Sequence, residues 1–306
     1  MTGEQTMWAV FWAGVPVILL FDLLVLQRKA HAVTLKESAA WVAFWVAVAL
    51  AFCGGIWATM GPDKAKEFLA AYLIEESLSL DNMFVFILIF SYFSVPAAYQ
   101  PRILHWGILG AIVMRIFFIF AGVALLEKFH WMIYIFGAVL VFTGARMAIE
   151  REQKVDPERN FVLRLFKRLM PFKNRHAGQD FFVREGGRWC ATPLFATLLV
   201  VEASDLIFAV DSIPAVLAIS GDFFIVATSN IFAILGLRAI FFVLAGIMNI
   251  FRFLRFGIAA ILCFVGVKML IAGFYHIPIN VSLAVVAGLL AVSILASMAV
   301  KDRTGA

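Results

Sequence analysis

The feature that most constrains this chain is a succession of apolar runs, each about 20 residues long, separated by short polar segments. A helix needs roughly 20 residues to cross about 30 Å of hydrocarbon. It is also one of the few arrangements that satisfies its own backbone N–H and C=O groups there. Nine runs are expected to be spans: 7–26, 39–60, 68–93, 103–126, 131–149, 193–219, 223–248, 254–275 and 279–299. Composition agrees. Of 306 residues, 63% are hydrophobic and mean hydropathy is +0.96, whereas a soluble domain is nearer half apolar. The sequence predicts an all-α polytopic helix bundle, a single transmembrane domain over 1–306, with the lipid bilayer as its first partner.

The loops set the orientation. With the N-terminus outside, the inner segments are 27–38, 94–102, 150–192, 249–253 and 300–306. They hold Arg28, Lys29, Lys36, Arg102, ten basic residues from Arg151 to Arg188, Arg252, Lys301 and Arg303. The outer segments hold Lys64, Lys66 and Lys128. Basic residues accumulate in cytoplasmic loops, so the N-terminus is expected outside and the C-terminus in the cytoplasm. The net charge of +5 resides in these loops and does not point to nucleic acid. Ala30-His31-Ala32 resembles a signal-peptide cleavage site, but Arg28 and Lys29 follow the apolar run instead of preceding it, which is the pattern of an anchor. The basic cytoplasmic loop 150–192 contains one amphipathic stretch. Phe161, Val162, Leu165, Phe166 and Leu169 share a helical face that excludes Arg164, Lys167 and Arg168. That pattern fits a helix lying on an anionic leaflet. A solvated linker is the plainer alternative.

The loop separates two similar halves. Met114-Arg115-Ile116-Phe117-Phe118 matches Leu237-Arg238-Ala239-Ile240-Phe241, and Phe142-Thr143-Gly144-Ala145-Arg146-Met147 matches Phe264-Val265-Gly266-Val267-Lys268-Met269. The offsets, 115 to 238 and 146 to 268, are nearly equal, which marks an internal repeat. Glu75, five residues, Asp81-Asn82 likewise matches Asp205, five residues, Asp211-Ser212. Residues 68–149 are thus a first three-helix repeat and 193–275 a second. An odd number of spans per repeat inverts the second across the membrane, and inverted repeats with polar motifs near the midplane are a transporter pattern.

Spans three and six hold six acids: Glu75, Glu76, Asp81, Glu202, Asp205 and Asp211. A charge at mid-bilayer costs about 2.5–3.5 kcal/mol or more, so such groups pair, face water or hold an ion. Arg115, Arg238 and Lys268 are the charge-balancing bases, with Arg146 near the inner end of span five. The duplicated Glu75, Asp81, Asp205 and Asp211 are the first candidates for metal ligands, with Asn82 and Ser212. Glu76 and Glu202 lie outside the repeat and are secondary acids. For each acid, ion pairing with an arginine is the competing reading. Hard oxygen donors without Cys or His suit Mn²⁺, Mg²⁺ or Ca²⁺, and spacing alone does not choose among them. On an ideal helix Glu75 and Asp81 diverge by about 120°, so either the helix unwinds or the two acids meet different partners. Pro214 predicts a break in span six near 210–213. Cys53, Cys190 and Cys263 show no metal or redox spacing. No His-Glu-x-x-His motif appears, and no nucleophile–base pair lies within the spans, so the chain is not expected to be an enzyme or to carry a cofactor.

Glu75-x-x-x-Ser79-x-Asp81-Asn82, with Phe208-Ala209-Val210-Asp211-Ser212-Ile213-Pro214-Ala215, resembles the TerC family of integral membrane proteins. Tyr134-Ile135-Phe136-Gly137-Ala138, Phe232-Ala233-Ile234-Leu235-Gly236-Leu237-Arg238 and Phe274-Tyr275-His276-Ile277-Pro278-Ile279 are similar to its Alx branch. The resemblance implies export of Mn²⁺ across a bacterial inner membrane, and it places the acidic motifs on Glu75, Asp81, Asn82, Asp205, Asp211 and Ser212. The family name itself derives from tellurite resistance. The expected mechanism is alternating access, with Asp81 and Asp211 binding the ion, Glu75 and Asp205 as ligands or gates, and proton coupling through the carboxylates. The rival is a non-transporting scaffold or metal sensor.

Overall fold

The computed structural model describes residues 3–21, 34–149, 161–169, 171, 178–185, 188–247, 253–275 and 277–299. The C-terminal end of the first expected span, much of 150–192, and the Asp81 side chain lie outside the described residues.

Helices follow the apolar runs. Before the long loop come α1 (Gly3–Phe21), α2 (Leu35–Met60), α3 (Pro62–Tyr92), α4 (Gln100–Lys128) and α5 (Met132–Ile149). After it come α7 (Pro193–Leu217), α8 (Phe223–Ile247), α9 (Leu254–Leu270) and α10 (Ile279–Ala299). Among the described residues, six helices are long and apolar enough to cross a membrane: α2, α4, α5, α7, α8 and α10. Val113, Phe117, Phe120, Phe142 and Leu295 point outward and are 63–70% exposed. A belt of large apolar side chains of this kind is stable against lipid and not against water. The protein is a multi-pass integral membrane protein.

Local chemistry sets the helix ends. Thr34 caps α2 by accepting from the Glu37 N–H. Gly61, at φ +94°, makes the turn into α3, a conformation that a side chain would strain. Proline occupies the first turn of α3 and of α7, where no N–H is missed. Asp222 accepts from the Phe224 N–H at the start of α8.

The most buried span, α8, forms the centre. It packs on α3, and α7 packs on α4. The contacts of Phe68 with Phe232 and of Phe90 with Phe241 run α3 and α8 in parallel. On the other side, Gly107 meets Val201 and Gly122 meets Leu217, so α4 and α7 are also parallel. The closest pair is α5 with α9. A Cβ on Gly137 would lie 2.9 Å from the Gly266 carbonyl oxygen, and one on Gly144 would lie 2.8 Å from the Ala259 carbonyl oxygen. This register is antiparallel, and small residues permit the approach. Gly266→Leu is expected to destabilise the protein by about 1–3 kcal/mol through overpacking. The reason is that its Cβ would meet the Gly137 oxygen at 2.7 Å and the Val141 nitrogen at 2.8 Å, both backbone atoms. Thermal denaturation in detergent reads this.

The helix bundle expected from the sequence carries one addition: within the basic loop, β1 (Phe182–Glu185) and β2 (Arg188–Ala191) form an antiparallel hairpin. One expectation is corrected. Pro214 does not break its helix, because α7 continues to Leu217. Ile213, Pro214, Ala215, Val216 and Leu217 are all buried, and packing on neighbouring helices compensates a proline in a membrane helix. The amphipathic stretch is helical as α6 (Phe161–Leu169). It docks through Leu163, which is buried, and leaves Phe161 and Leu165 exposed.

Candidate functional site

Arg115 organises the polar interior. It lies mid-way along α4 and is fully buried. Its Nη1 donates to Glu75 Oε1 on α3 and, at 2.9 Å, to Ser212 Oγ on α7. Its Nη2 donates at 3.4 Å to Asp205 Oδ1, also on α7. The second Glu75 oxygen accepts from Asn230 Nδ2 on α8 at 2.8 Å. Glu75, Arg115 and Asp205 all fall near the middle of long apolar helices, which is why the bundle brings them to one depth. Four helices therefore meet at two carboxylates and one guanidinium, one negative charge in excess when both acids are ionised. Arginine keeps its charge in such a place and holds carboxylates with a fixed fork of donors.

The centre is not saturated. Asp205 Oδ2, Asn230 Oδ1 and Arg115 Nε are buried without a hydrogen-bond partner, as is Asn82 Nδ2 two helical turns along α3 from Glu75. Asp205 also lines a narrow cavity between α3, α4, α7 and α8, with Glu202, Gly107, Ile108, Phe86 and Leu237. Its free volume of about 10 Å³ is water-sized. Glu202 reaches it through a niche over Gly110, where a Cβ would lie 2.2 Å from Oε1. One helical turn separates Glu202 from Asp205, so the two acids share a face of α7.

The other sequence candidates lie elsewhere. Asp211 is not brought to Arg115. It is half-buried and accepts from Thr143 Oγ1 on α5 at 2.9 Å. The continuous α3 sends Glu75 and Glu76 to different neighbours. Glu76 lies within electrostatic reach of Tyr72 and faces Gly236 on α8. Arg238 is half-buried on α8, and Lys268, half-buried on α9, lies within electrostatic reach of Glu67. Ser212 joins the centre as an acceptor for Arg115. Among the described residues, no three His, Cys, Asp or Glu side chains gather as a ready metal cage. Sequence reasoning missed Asn230 and Thr143. The polar triplet Thr228-Ser229-Asn230 inside an apolar span was the available signal for Asn230.

The comparisons with known proteins cover nearly the whole chain. Residues 60–305 match the family described as integral membrane protein TerC family. An uncharacterized membrane protein of Myxococcus xanthus is 50% identical over 98% of this chain and 94% of its own length. Alx of Escherichia coli (strain K12), whose name assigns it provisionally as a membrane-bound redox modulator, is 46% identical over 98% of this chain and 97% of its own. An uncharacterized membrane protein of Rickettsia bellii is 38% identical over 96% of this chain. No solved structure matches. With a family match over most of its length and relatives this similar from end to end, the chain belongs to the TerC family of integral membrane proteins.

Proposed function

We propose that this protein exports Mn²⁺ from the bacterial cytoplasm across the inner membrane by alternating access, with its N-terminus outside and its C-terminus in the cytoplasm. The observation that carries the proposal is the meeting of Glu75 and Asp205. Acids from the two halves converge at one buried depth beside a cavity, and an Asp205 oxygen is left without a partner. Hard oxygens of this kind suit Mn²⁺ over softer metals. In this reading Glu75 and Asp205 hold the ion first, with Ser212 beside them and Asn82 two helical turns further along α3. Asp81 and Asp211 are further ligands along the path, Glu202 lies at the cavity, and Arg115 balances charge. Protons taken up by the emptied carboxylates supply the coupling.

We further infer nine spans, with α3–α5 and α7–α9 as inverted repeats. The contacts support this. α3 lies on α8 as α7 lies on α4. Gly137 meets Gly266 as Ala259 meets Gly144, which is one contact with its two halves exchanged. The Lys64–Asp222 ion pair at 2.7 Å and the Arg102–Asp180 pair at 4.0 Å each join segments that nine spans put on the same side.

A scaffold reading draws on the same centre, because Arg115 pairs with both acids. Redox work through a dithiol finds less support: Cys53, Cys190 and Cys263 are free thiols on α2, β2 and α9. Mn²⁺ flux into sealed vesicles holding the purified protein separates the readings. The intact protein is expected to move Mn²⁺, and Asp81→Asn and Asp211→Asn to slow it. Unchanged flux in both variants removes those two acids from the path. An intact protein that carries no Mn²⁺ under any proton gradient leaves the scaffold.

A further inference from the structure

Arg115 occupies the place a cation needs. Its guanidinium bridges Glu75 on α3 and Asp205 on α7, and both side chains are at least nine-tenths buried. A divalent ion held by the same two carboxylates would sit between them, in the volume the guanidinium now fills. The two cations cannot share it, because like charges about 4 Å apart in a protein interior repel strongly. Arginine does not deprotonate to make room, so any exchange requires movement of the side chain. The unpartnered atoms show where an ion makes first contact. Asp205 Oδ1 is engaged by Arg115, while Oδ2 is free and its residue lines the cavity. Asn230 donates to Glu75 and keeps its own Oδ1 free in the buried centre.

We propose that Arg115 is a tethered cation that holds the ion's seat between turnovers, and that Asn230 Oδ1 is a ligand of the loaded site. The incoming ion meets Asp205 Oδ2 from the cavity, displaces the guanidinium from Glu75 and Asp205, and takes Asn230 Oδ1 as an added oxygen. When the ion leaves, Arg115 returns, so the excess negative charge of the empty carboxylates falls from two to one and the two halves stay bridged. The inference rests on the export reading and adds a competitor to its site.

The test is Mn²⁺ binding to the full-length protein in detergent, read as loss of the free-ion electron paramagnetic resonance signal, with flux measured in parallel. Arg115→Gln is expected to bind Mn²⁺ at least about tenfold tighter than the intact protein, because the excess negative charge rises from one to two. Its flux is expected to fall, since nothing displaces the ion. Arg115→Lys, which keeps the charge but loses the fork, is expected to bind a few-fold tighter and carries the test if Arg115→Gln does not fold. Asn230→Leu in the Arg115→Gln background is expected to give back most of the gain. Affinity in Arg115→Lys and Arg115→Gln equal to or weaker than that of the intact protein overturns the proposal, even where the intact protein transports Mn²⁺. Tighter binding in the variants with no flux from the intact protein keeps the seat and overturns export.

Discussion

Glu75→Ala is expected to cost about 3–5 kcal/mol of stability, the range for removing one partner of a buried ion pair. The cost is not the strength of the lost bond. Two groups that the carboxylate satisfied are stranded: Arg115, with no solvent exposure, and Asn230 Nδ2, which donates to Glu75 Oε2. Among the described residues, Arg115 keeps Asp205 at 3.4 Å and Ser212 at 2.9 Å. Glu75→Gln is expected to cost less, because its amide oxygen still accepts a hydrogen bond although the charge is gone. The sharper measurement is the double variant Glu75→Ala with Arg115→Met. If the two residues act as a unit, it loses less than the sum of the single variants, by about 1–3 kcal/mol. Denaturation midpoints in one detergent check this. Additive losses would mean that the pair contributes nothing jointly.

Parts of this architecture were legible from the chain because the bilayer imposes a simple rule, and parts were not because the rule is blind to polar side chains. Apolar runs located the helices but misjudged their ends. The helix expected from 39 begins at Leu35 because Thr34 caps it, and the one expected from 68 begins at Pro62. A polar first turn is invisible to an apolarity count. The repeat singles out Glu75, Asp81 and Asn82 with Asp205, Asp211 and Ser212, and Arg115 is an expected counter-charge; of these, Glu75, Asp205, Ser212 and Arg115 meet. The repeat also grouped Asp211 with them, yet on the continuous α7 Asp205 and Asp211 lie about 120° apart in projection, and Asp211 turns to Thr143. A duplicated spacing fixes equivalence between halves and not the direction of each side chain. Asn230 carries no charge and stood in no motif, so only the packed structure reveals that it completes the coordination of Glu75. The hairpin had a local signal, Gly186-Gly187 between two short alternating runs, hidden in a segment read for its charge.

Asp205→Asn is expected to reduce Mn²⁺ flux by at least about 30-fold. A unit charge about 4 Å from another is worth about 4 kcal/mol at an effective dielectric of 20. Even half of that, about 2 kcal/mol, corresponds to a factor of about 30 at 1.4 kcal/mol per tenfold. The substitution removes this charge and nearly nothing else. Asparagine has the same shape, its oxygen can still accept from Arg115, and the residue is packed in a continuous helix. The fold is therefore expected to survive, and a preserved elution volume and denaturation midpoint verify that. Asp63→Asn is the matched control. It removes an equal charge from the same protein, but from a side chain that is 82% exposed and paired with Lys66, and flux is expected to stay within about twofold because exposed pairs contribute little. The contrast between the two variants carries the argument. A general effect of net charge on vesicle loading or ion attraction would move both, whereas a seat between α3 and α7 moves only the buried one. Equal flux from both variants would place the ion's path away from Asp205 and leave the buried cluster as the bolt of a rigid bundle.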